Sequence, residues 1–499
     1  LQIDLDDNWT LTARALHQTQ ETEGVWDHDP EDVGDLEVER FFNDRSEDTF
    51  TQLGATVEGR IAGMDVTYSG SFLDREVEYD NDYSEYAEYS SYIDYYTCYY
   101  AYDSAAGAYD FYACEDPRIQ YQDRSQYTRD SHEFRLATPQ ENRLRLIAGV
   151  FYQRAEHDFD FDWNIPTIKP GMAVDGEQAY FTTNQVREDT EAALFGELSY
   201  DLTDTLTATV GARVFDTDSS IEGFVGTVFS GSPDVDVEQS ESGSLYKVNL
   251  TWQPSSDRLF YATVSEGFRP GGVNRASTSN IPGTYDSDLI TNYEFGWKTT
   301  LADGVLRFNG AAFLMEWEDV QFTRFDPSES PLGLTQNAGA AQVLGLEADI
   351  SWLATDNLTL TGAMTVLQAE LSEDFSQNIN ATTPDAPDGT ELPYIPSVKG
   401  YLNARYEFAW RDFDAFWNVR GSYVGKSYND LFIANRSEQE AYALLGASAG
   451  LGRDNWTVTA YVRNLTDERA ELYRNATDFD SRITTNQPRT FGVSLSQRF

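Results

Sequence analysis

The last nine residues of the chain alternate strictly between two kinds of side chain. One face carries, in order, Phe491, Val493, Leu495, Gln497 and Phe499, while the residues between them are glycine, serine and arginine. A period of two is typical of a β-strand with one mainly apolar face. The predicted strand, residues 490–499, ends on an aromatic carboxyl terminus, Phe499. Any β-protein can end on such a strand, so the rest of the chain decides what it means.

The same alternation recurs through nearly the whole sequence. Apolar residues occupy every second position in five clear segments, residues 9–15, 144–152, 206–214, 306–314 and 456–462. The opposite faces of these segments carry Arg, Thr or Asn, which suits a hydrated lumen better than the dry core of a sandwich. The pattern predicts an all-β fold, a transmembrane antiparallel β-barrel with lipid outside and water or protein inside.

The connections between the predicted strands follow a second rule. Short turns rich in Asp, Asn, Gly and Pro occur at residues 6–8, 62–65, 138–142, 202–205, 253–257, 302–304, 355–357, 411–414 and 452–455. These residue types form turns because they tolerate positive φ or cap their own backbone. Longer polar segments lie between them, among them residues 18–47, 79–124, 158–188, 216–241, 270–288 and 372–396. Short periplasmic turns and long extracellular loops alternate in this way in outer-membrane barrels.

Nine hairpins and the last strand make nineteen predicted strands. Single-chain bacterial barrels of this kind have an even number of strands and both termini in the periplasm. One or three strands are therefore expected ahead of Leu1, and three would complete a barrel of 22 strands, the size of outer-membrane transporters with a plugged lumen. No linker or composition break divides the sequence, so residues 1–499 are predicted to be one barrel domain whose first strands are missing.

Composition excludes several classes of protein. The formal net charge is −49, which argues against binding to nucleic acid or to anionic head groups. Aromatic residues make up 14% of the chain, too many for a disordered acidic sequence. No run of eighteen apolar residues occurs, which excludes helical membrane spans but not a barrel, whose strands face lipid only at every second residue.

Several motifs, in order, resemble those of the TonB-dependent outer-membrane receptors. They are EFRLATP (133–139), YATVSEGFRPGGVNR (261–275), NYEFGWKTTLADGVLRFNGAAFLMEWEDVQ (292–321), NAGAAQVLGLEAD (337–349) and NLTD (464–467), followed by Phe499. The likeness spans roughly residues 125–499. It implies a 22-stranded barrel with an N-terminal plug inside it, preceded by a short segment that contacts TonB. Neither the plug nor that segment is present in this sequence.

The resemblance also implies a function. Such a receptor sits in the outer membrane of a Gram-negative bacterium, in outer-membrane lipid, and takes up a scarce small-molecule ligand with the help of the TonB energy-coupling complex. A ferric siderophore is the leading expectation, with oligosaccharide and cobalamin left open. A surface lipoprotein partner is also left open, and the source of the strong acidity is not indicated.

Two other classes of function compete with active transport. A passive porin would share the strand pattern, and a surface-exposed structural or adhesive barrel could use long acidic loops for contacts. Catalysis has little support, because the sequence contains no P-loop and no H-x-x-x-H spacing. We therefore expect no enzyme activity, no cofactor and no metal site.

A tyrosine-rich segment, residues 79–112, contains the candidate ligand-binding side chains. Tyrosines recur there at a spacing of three, namely Tyr83, Tyr86, Tyr89, Tyr92 and Tyr95. Such rings could hold a sugar or an organic siderophore, or they could pack one loop against another over the barrel mouth. Cys98 and Cys114 lie in the same stretch and are predicted to form a loop disulfide in an oxidising compartment, with two free thiols as the alternative.

Two further groups of charged residues are candidates for binding. Asp-rich pieces at residues 158–162, 216–218 and 234–238 lack the pattern of an EF-hand, so we interpret them as solvated acidic loops and not as calcium sites. Arg213, Arg307 and Arg463 fall on the polar, lumen-facing side of their strands. They could line a path for an anionic substrate or pair with carboxylates of the plug, and plug pairing is the simpler interpretation.

Overall fold

The computed structural model describes residues 1–85, 93–105, 107–228, 234–276, 282–324, 333–337, 339–376, 383–474 and 482–498. Nineteen strands form one antiparallel sheet in which each strand pairs with its neighbours along the chain. In chain order they are β1 Gln2–Asp4, β2 Trp9–Glu23, β3 Arg45–Ile61, β4 Met64–Asp82, β5 Gln120–Ala137, β6 Leu144–Asn164, β7 Ala179–Thr203, β8 Leu206–Thr227, β9 Asp234–Ser255, β10 Arg258–Arg269, β11 Asp288–Leu301, β12 Leu306–Glu318, β13 Ala341–Thr355, β14 Leu358–Leu371, β15 Val398–Trp410, β16 Phe413–Val424, β17 Tyr442–Arg453, β18 Trp456–Arg463 and β19 Thr490–Gln497. The predicted strand number and pairing order are confirmed.

The long connections carry short elements of their own. A single-turn helix, α1, spans Ile93–Thr97. Short strands outside the main sheet are Asp27–His28, Cys98–Asp103, Ala108–Cys114, Gly272–Val273, Thr284–Tyr285, Gln321–Arg324, Leu334–Asn337, Ser427–Tyr428, Glu438–Gln439, Glu471–Arg474 and Ile483–Thr485. Within the part of the chain that the structure describes, no helix is long and apolar enough to cross a membrane.

The two faces of the sheet differ as the alternation predicts. On β19, Phe491, Val493 and Leu495 are each more than 70% exposed and lie on the same face as their apolar partners across the strand pair. We call this the outer face, because exposed apolar side chains in a continuous row are the side chains that a barrel presents to lipid. Next to the short turns, rings on this face pair with one another, as Trp252 does with Phe260 at 5.4 Å between centroids. Such an aromatic girdle marks a membrane–water interface.

The short turns lie where the sequence predicts them, at one end of the sheet. Several need a left-handed backbone, and Ala62 and Gly63 between β3 and β4 have φ of 51° and 81°. All long connections lie at the other end. The alternation of short and long connections is therefore confirmed.

At the long-loop end, one prediction from the sequence is wrong. Residues 158–188 and 216–241 were expected to be loops, yet most of them belong to β6–β9, and β7 alone has 25 residues. About 10 residues suffice to cross a membrane, so these strands continue well beyond the apolar belt. The Asp-rich pieces at 158–162, 216–218 and 234–238 are thus strand segments, not loops.

The reason for this error is visible on β6. Beyond the belt, the outer face changes from Val150 and Tyr152 to exposed Asp158 and Asp160, while Phe159 on the inner face is 2% exposed. The period of two continues, but the apolar side chains now point inward. Acidic composition suggested a loop where the alternation indicated a strand.

Aromatic rings on several strands lie flat over a glycine of the next strand. Phe313 on β12 covers Gly345 on β13, and Tyr461 on β18 covers Gly492 on β19. A Cβ atom at either glycine would overlap the ring. Glycine is therefore required in these strands for close packing across the pair, although it is otherwise unfavourable there.

The buried apolar residues lie mostly at the long-loop end. The larger cluster joins inner-face residues of β6–β8 to residues of the loops above them: Ile93, Tyr96, Ile119, Phe159, Phe161, Trp163, Ile165, Ile168, Tyr180, Phe181, Ile221, Val225, Val273 and Leu334. A second cluster consists of Val320, Ala341, Ala369, Leu371, Phe375, Ala386, Leu392 and Leu431. The core of the described chain thus fixes the loops over one end of the sheet.

The two edges of the sheet come close together at this same end. Asp27–His28, between β2 and β3, pairs with Ile483–Thr485, between β18 and β19. Among the described residues no hydrogen-bonded pairing joins β1 to β19. The sheet therefore curves through nearly a full circle, and loops connect its two ends at the rim.

Candidate functional site

A row of cationic and aromatic side chains crosses the inner face of four strands near the long-loop end. Arg75 on β4, Tyr127 on β5, His157 on β6 and Arg187 on β7 lie directly opposite one another in the strand register. Alternation places all four on the same face. The rings of Tyr127 and His157 stack with centroids 3.9 Å apart, and the Arg75 guanidinium lies 5.5 Å from the Tyr127 centroid. We call these four residues the inner-face row.

A third cation, Arg275, reaches this site from the loop between β10 and β11. The guanidinium of Arg275 lies 5.4 Å from the ring centroid of Phe161 and 6.0 Å from that of Phe159. The side-chain amide of Gln185 donates a hydrogen bond to the Arg275 carbonyl at 3.1 Å, which fixes the loop against β7. No carboxylate of the described residues lies within ion-pair distance of Arg275. Arg187, by contrast, pairs with Asp189 at 2.8 Å.

Burial and positive charge shape the titration of this site. The pKa of His157 is lowered to about 4, chiefly by burial and then by Arg187 and Arg275, so the imidazole is neutral at neutral pH. Burial also lowers the pKa of Arg275 and raises the pKa of Asp123. These groups lie beyond the apolar belt, since the outer-face residues beside His157 are charged. The site combines aromatic faces with Arg275, which forms no ion pair within 4 Å in the part of the chain that the structure describes and has Asp123 as a more distant carboxylate neighbour. This arrangement is suited to an anionic ligand with rings.

The structure places two of the five predicted tyrosines. Tyr83 packs against Trp163 and Tyr121, with ring centroids 5.0 and 6.5 Å apart, and burial raises the pKa of its phenol to about 12. Tyr95 is 55% exposed, and the Lys169 ammonium lies 5.0 Å from its ring. Tyr86, Tyr89 and Tyr92 lie outside the described residues. Loop packing accounts for Tyr83, and ligand contact by the other members of the series stays a prediction.

The predicted disulfide is present between Cys98 and Cys114, and the free-thiol alternative is wrong. The two cysteines face each other at the base of a hairpin formed by Cys98–Asp103 and Ala108–Cys114. The Lys169 ammonium donates to the Cys98 carbonyl at 2.9 Å and so ties this hairpin to the loop between β6 and β7. The disulfide therefore anchors the C-terminal part of the tyrosine-rich segment at the rim.

The three singled-out arginines lie on the inner face of their strands. Arg213 forms an ion pair with Glu191 on the adjacent strand β7, and its guanidinium lies 5.3 Å from the Phe151 ring. Arg307 lies opposite Ser351, and Arg463 lies opposite Thr490. Their proposed contacts with a substrate or a plug stay predictions. Phe499 is outside the described residues.

The sequence interpretation missed the residues that form the site. His157 and Arg187 were near or inside a supposed loop, and Arg75 and Tyr127 were not singled out. Continuing the period of two through residues 151–163 and 181–191 would have placed His157 and Arg187 on one face. Arg275 ends the motif at residues 261–275, but its contacts depend on the folding of a loop.

The curved antiparallel sheet, the exposed apolar belt and the loop-covered inner site define an outer-membrane β-barrel receptor. The family described as TonB dependent receptor-like, beta-barrel matches residues 2–465, and the chain belongs to this family. Its members are outer-membrane proteins of Gram-negative bacteria, and this chain has that location. The family and fold are those of transporters, not of enzymes. The long-loop end is accordingly extracellular.

Curated relatives match only part of their own length. The pesticin receptor of Yersinia pestis is 24% identical over 378 residues, which cover 74% of this chain and 51% of the relative. The metal-pseudopaline receptor CntO of Pseudomonas aeruginosa is 28% identical over 275 residues, covering 53% of this chain and 35% of the relative. The chain thus spans about half the length, or less, of these relatives.

Solved structures share the fold at low identity. The ferric yersiniabactin uptake receptor FyuA from Yersinia pestis has a TM-score of 0.77 and 16% identity, covering 99% of this chain and 68% of that one. The closed form of the ferric-catecholate import receptor Fiu from K12 E. coli has a TM-score of 0.72 and 14% identity, covering 100% and 73%. These likenesses show the barrel architecture.

Proposed function

We propose that this protein is a TonB-dependent transporter that takes up an anionic metal chelate, most specifically a ferric siderophore. One relative and two structural neighbours named above are receptors for metal chelates by their descriptions: metal-pseudopaline, ferric yersiniabactin and ferric catecholate. The proposal assigns recognition to the extracellular inner-face row together with Arg275.

The observation that carries this proposal is the charge of that site. The chain as a whole has a net charge of −49, which repels anions from most of its surface. Arg275 nevertheless lies over Phe159 and Phe161 with no ion pair within 4 Å among the described residues, and the carboxylate that acts on it at longer range is Asp123. A ligand with phenolate or carboxylate groups would supply the counter-ion, and its rings could stack in the row beside Tyr127. An uncharged oligosaccharide could stack on the aromatic rings, but it would not provide a negative charge for Arg275.

We further propose that residues 1–499 are the barrel of a longer receptor. A plug and the first strands would precede Leu1, and the TonB contact would lie in that upstream region. The coverage of 68% of the FyuA chain supports a longer protein. In this arrangement TonB pulls on the plug, and the ligand passes through the lumen to the periplasm.

The test is uptake of ⁵⁵Fe by a Gram-negative host that lacks its own siderophore receptors and expresses the full-length protein. A panel of ferric catecholate, phenolate and hydroxycarboxylate siderophores serves as probe, with a host lacking TonB in parallel. We expect saturable uptake of at least one anionic siderophore only when TonB is present. Uptake of none, or uptake that persists without TonB, would contradict the proposal; the latter outcome fits a passive porin.

Two variants link uptake to the site. Arg275→Gln should weaken ligand affinity about tenfold or more, because a charge-assisted contact is lost. Arg154→Gln is the matched control, since Arg154 lies on the outer face of β6 and pairs with Glu188 at 2.6 Å. If the two variants take up the siderophore equally well, the ligand is recognised by another part of the extracellular end.

A further inference from the structure

Two arginines of the C-terminal half share one cavity on the inner face. Arg420 on β16 lies opposite Gly446 on β17, and Arg463 on β18 is the next inner-face residue along the same row. Both line a cavity of about 170 Å³ in the wall of the lumen. This cavity is separate from the inner-face row, which lies on β4–β7.

Among the described residues, neither arginine has an acidic partner within ion-pair distance. Carboxylates outnumber cationic side chains 84 to 35 in this chain, so an arginine readily meets one. Other inner-face arginines do pair with a carboxylate: Arg145 pairs with Asp201 at 2.6 Å, and Arg405 pairs with Glu407 at 2.8 Å. Around Arg420 and Arg463, the described residues place no carboxylate within 4 Å of either guanidinium.

The neighbours of the pair are small or neutral. Gly446 leaves space for the Arg420 side chain, because a Cβ there would lie 3.1 Å from the Arg420 Nε. The Arg463 guanidinium lies 5.0 Å from the Tyr461 ring, which in turn covers Gly492. Asn418 and Ser448 complete the polar lining. Packing thus holds two guanidinium groups beside one cavity without neutralising them.

We propose that Arg420 and Arg463 form a carboxylate-binding site on the wall of the lumen. Two guanidinium groups can each offer paired N–H donors to a carboxylate, and the fixed fork of arginine suits this geometry. Asn418 and Ser448 can donate to the same group. Because one water occupies about 30 Å³ of liquid, the cavity has room for a carboxylate and a few waters.

The carboxylate can come from two sources. It can be a side chain of another segment of the same receptor that lies inside the lumen, or a free carboxylate that passes through it. The first source rests on the proposed plug, whereas the second does not depend on it. The site chemistry is the same in both cases, so the experiment must separate them.

The first measurement is calorimetric titration of the full-length receptor in detergent with succinate at low ionic strength. We compare wild type with Arg420→Gln/Arg463→Gln and with a charge-matched control, Arg14→Gln/Arg135→Gln, which removes two inner-face arginines from other strands. A free-carboxylate site predicts that affinity falls at least tenfold in the first double variant and changes less than twofold in the control. An equal fall in both variants would overturn the proposal, since it would indicate only the general charge of the lumen.

The second measurement is the urea concentration at which the same three proteins become conducting in a planar bilayer. If the receptor itself supplies the carboxylate, the site is already occupied, and we expect no heat when succinate is added to wild type. We then expect Arg420→Gln/Arg463→Gln to become conducting at a lower urea concentration than wild type or the control. If neither succinate binding nor the opening concentration depends on Arg420 and Arg463, the site does not exist as proposed. Neither readout requires knowledge of the transported ligand, so failure here is distinguishable from failure of the siderophore proposal.

Discussion

Asp35 and Arg469 are joined by two hydrogen bonds, of 2.8 and 3.1 Å, across 434 residues of chain. Asp35 belongs to the loop between β2 and β3, and Arg469 to the loop between β18 and β19. A second contact, in which the Thr484 hydroxyl donates to Asp27 at 2.7 Å, connects the same two loops. These contacts close the extracellular rim over the gap between the two edges of the sheet.

The first prediction concerns this closure. Arg469→Ala should increase amide hydrogen exchange in the loops at both ends of the chain, because it removes one of the contacts that join these two loops. The Asp35–Arg469 coupling energy in a double-mutant cycle should be about 0.5–1 kcal/mol, since Asp35 is largely exposed. Arg453→Ala, which removes an exposed pair with Asp454 at a short turn, is the control. Unchanged exchange in the first loop would show that the contact does not connect the rim.

The second prediction concerns the packing of rings over glycines. Gly345→Ala should destabilise the barrel by about 1–3 kcal/mol, because the new methyl group overlaps the Phe313 ring and must displace it. Gly196→Ala is the control, since its Cβ would meet nothing closer than 3.6 Å. Urea unfolding in detergent, followed by tryptophan fluorescence, measures both. Equal stability of the two variants would contradict the proposed packing.

The third prediction follows from the low pKa of His157. Its value of about 4 in the folded protein lies below the ordinary 6.5, so the folded state favours the neutral imidazole. This contribution is complete above pH 6.5 and is lost as the pH falls from 6.5 through about 4. Allowing for partial solvent screening, the loss is on the order of 1 kcal/mol.

The pH effect is measured as a difference between proteins, because many carboxylates also titrate in this range. Hydrogen exchange of β5–β7 at pH 7 and pH 4.5 is compared in wild type and His157→Gln. We expect wild type to lose more protection than the variant, since glutamine does not titrate. A loss of the same size in both would show that His157 does not contribute.

The fourth prediction concerns the disulfide at the rim. Cys98→Ser should destabilise the tyrosine-rich hairpin by about 2–4 kcal/mol, since the cross-link limits the unfolded states of a 16-residue separation. The effect should be local, with faster proteolysis between residues 98 and 114 and an unchanged barrel. A reducing agent should reproduce it in wild type and add nothing to Cys98→Ser. Global unfolding on reduction would indicate a larger role.

Some parts of this structure follow from local sequence. The period of two specified each strand and its lipid-facing side, and turn residues such as Ala62 and Gly63 specified where the strands reverse. Cys98 and Cys114 were the two cysteines of the chain, so their pairing needed no further information. The sequence failed at β6–β9 beyond the membrane, where acidic side chains face water on strands. The amino-acid composition there is typical of a loop. Only the continued alternation of Phe159 with its acidic neighbours indicates a strand.

The sequence by itself therefore determined the antiparallel barrel, its nineteen strands and its family, because strand pairing between neighbours depends on short-range patterns. Only the tertiary structure decided the candidate sites. His157 meets Arg187 through strand register, and Arg275 reaches Phe161 through the fold of a loop. Arg420 and Arg463 share a cavity because their strands, β16 and β18, lie on either side of β17. Such contacts depend on register and curvature summed over many strands, which no local pattern encodes.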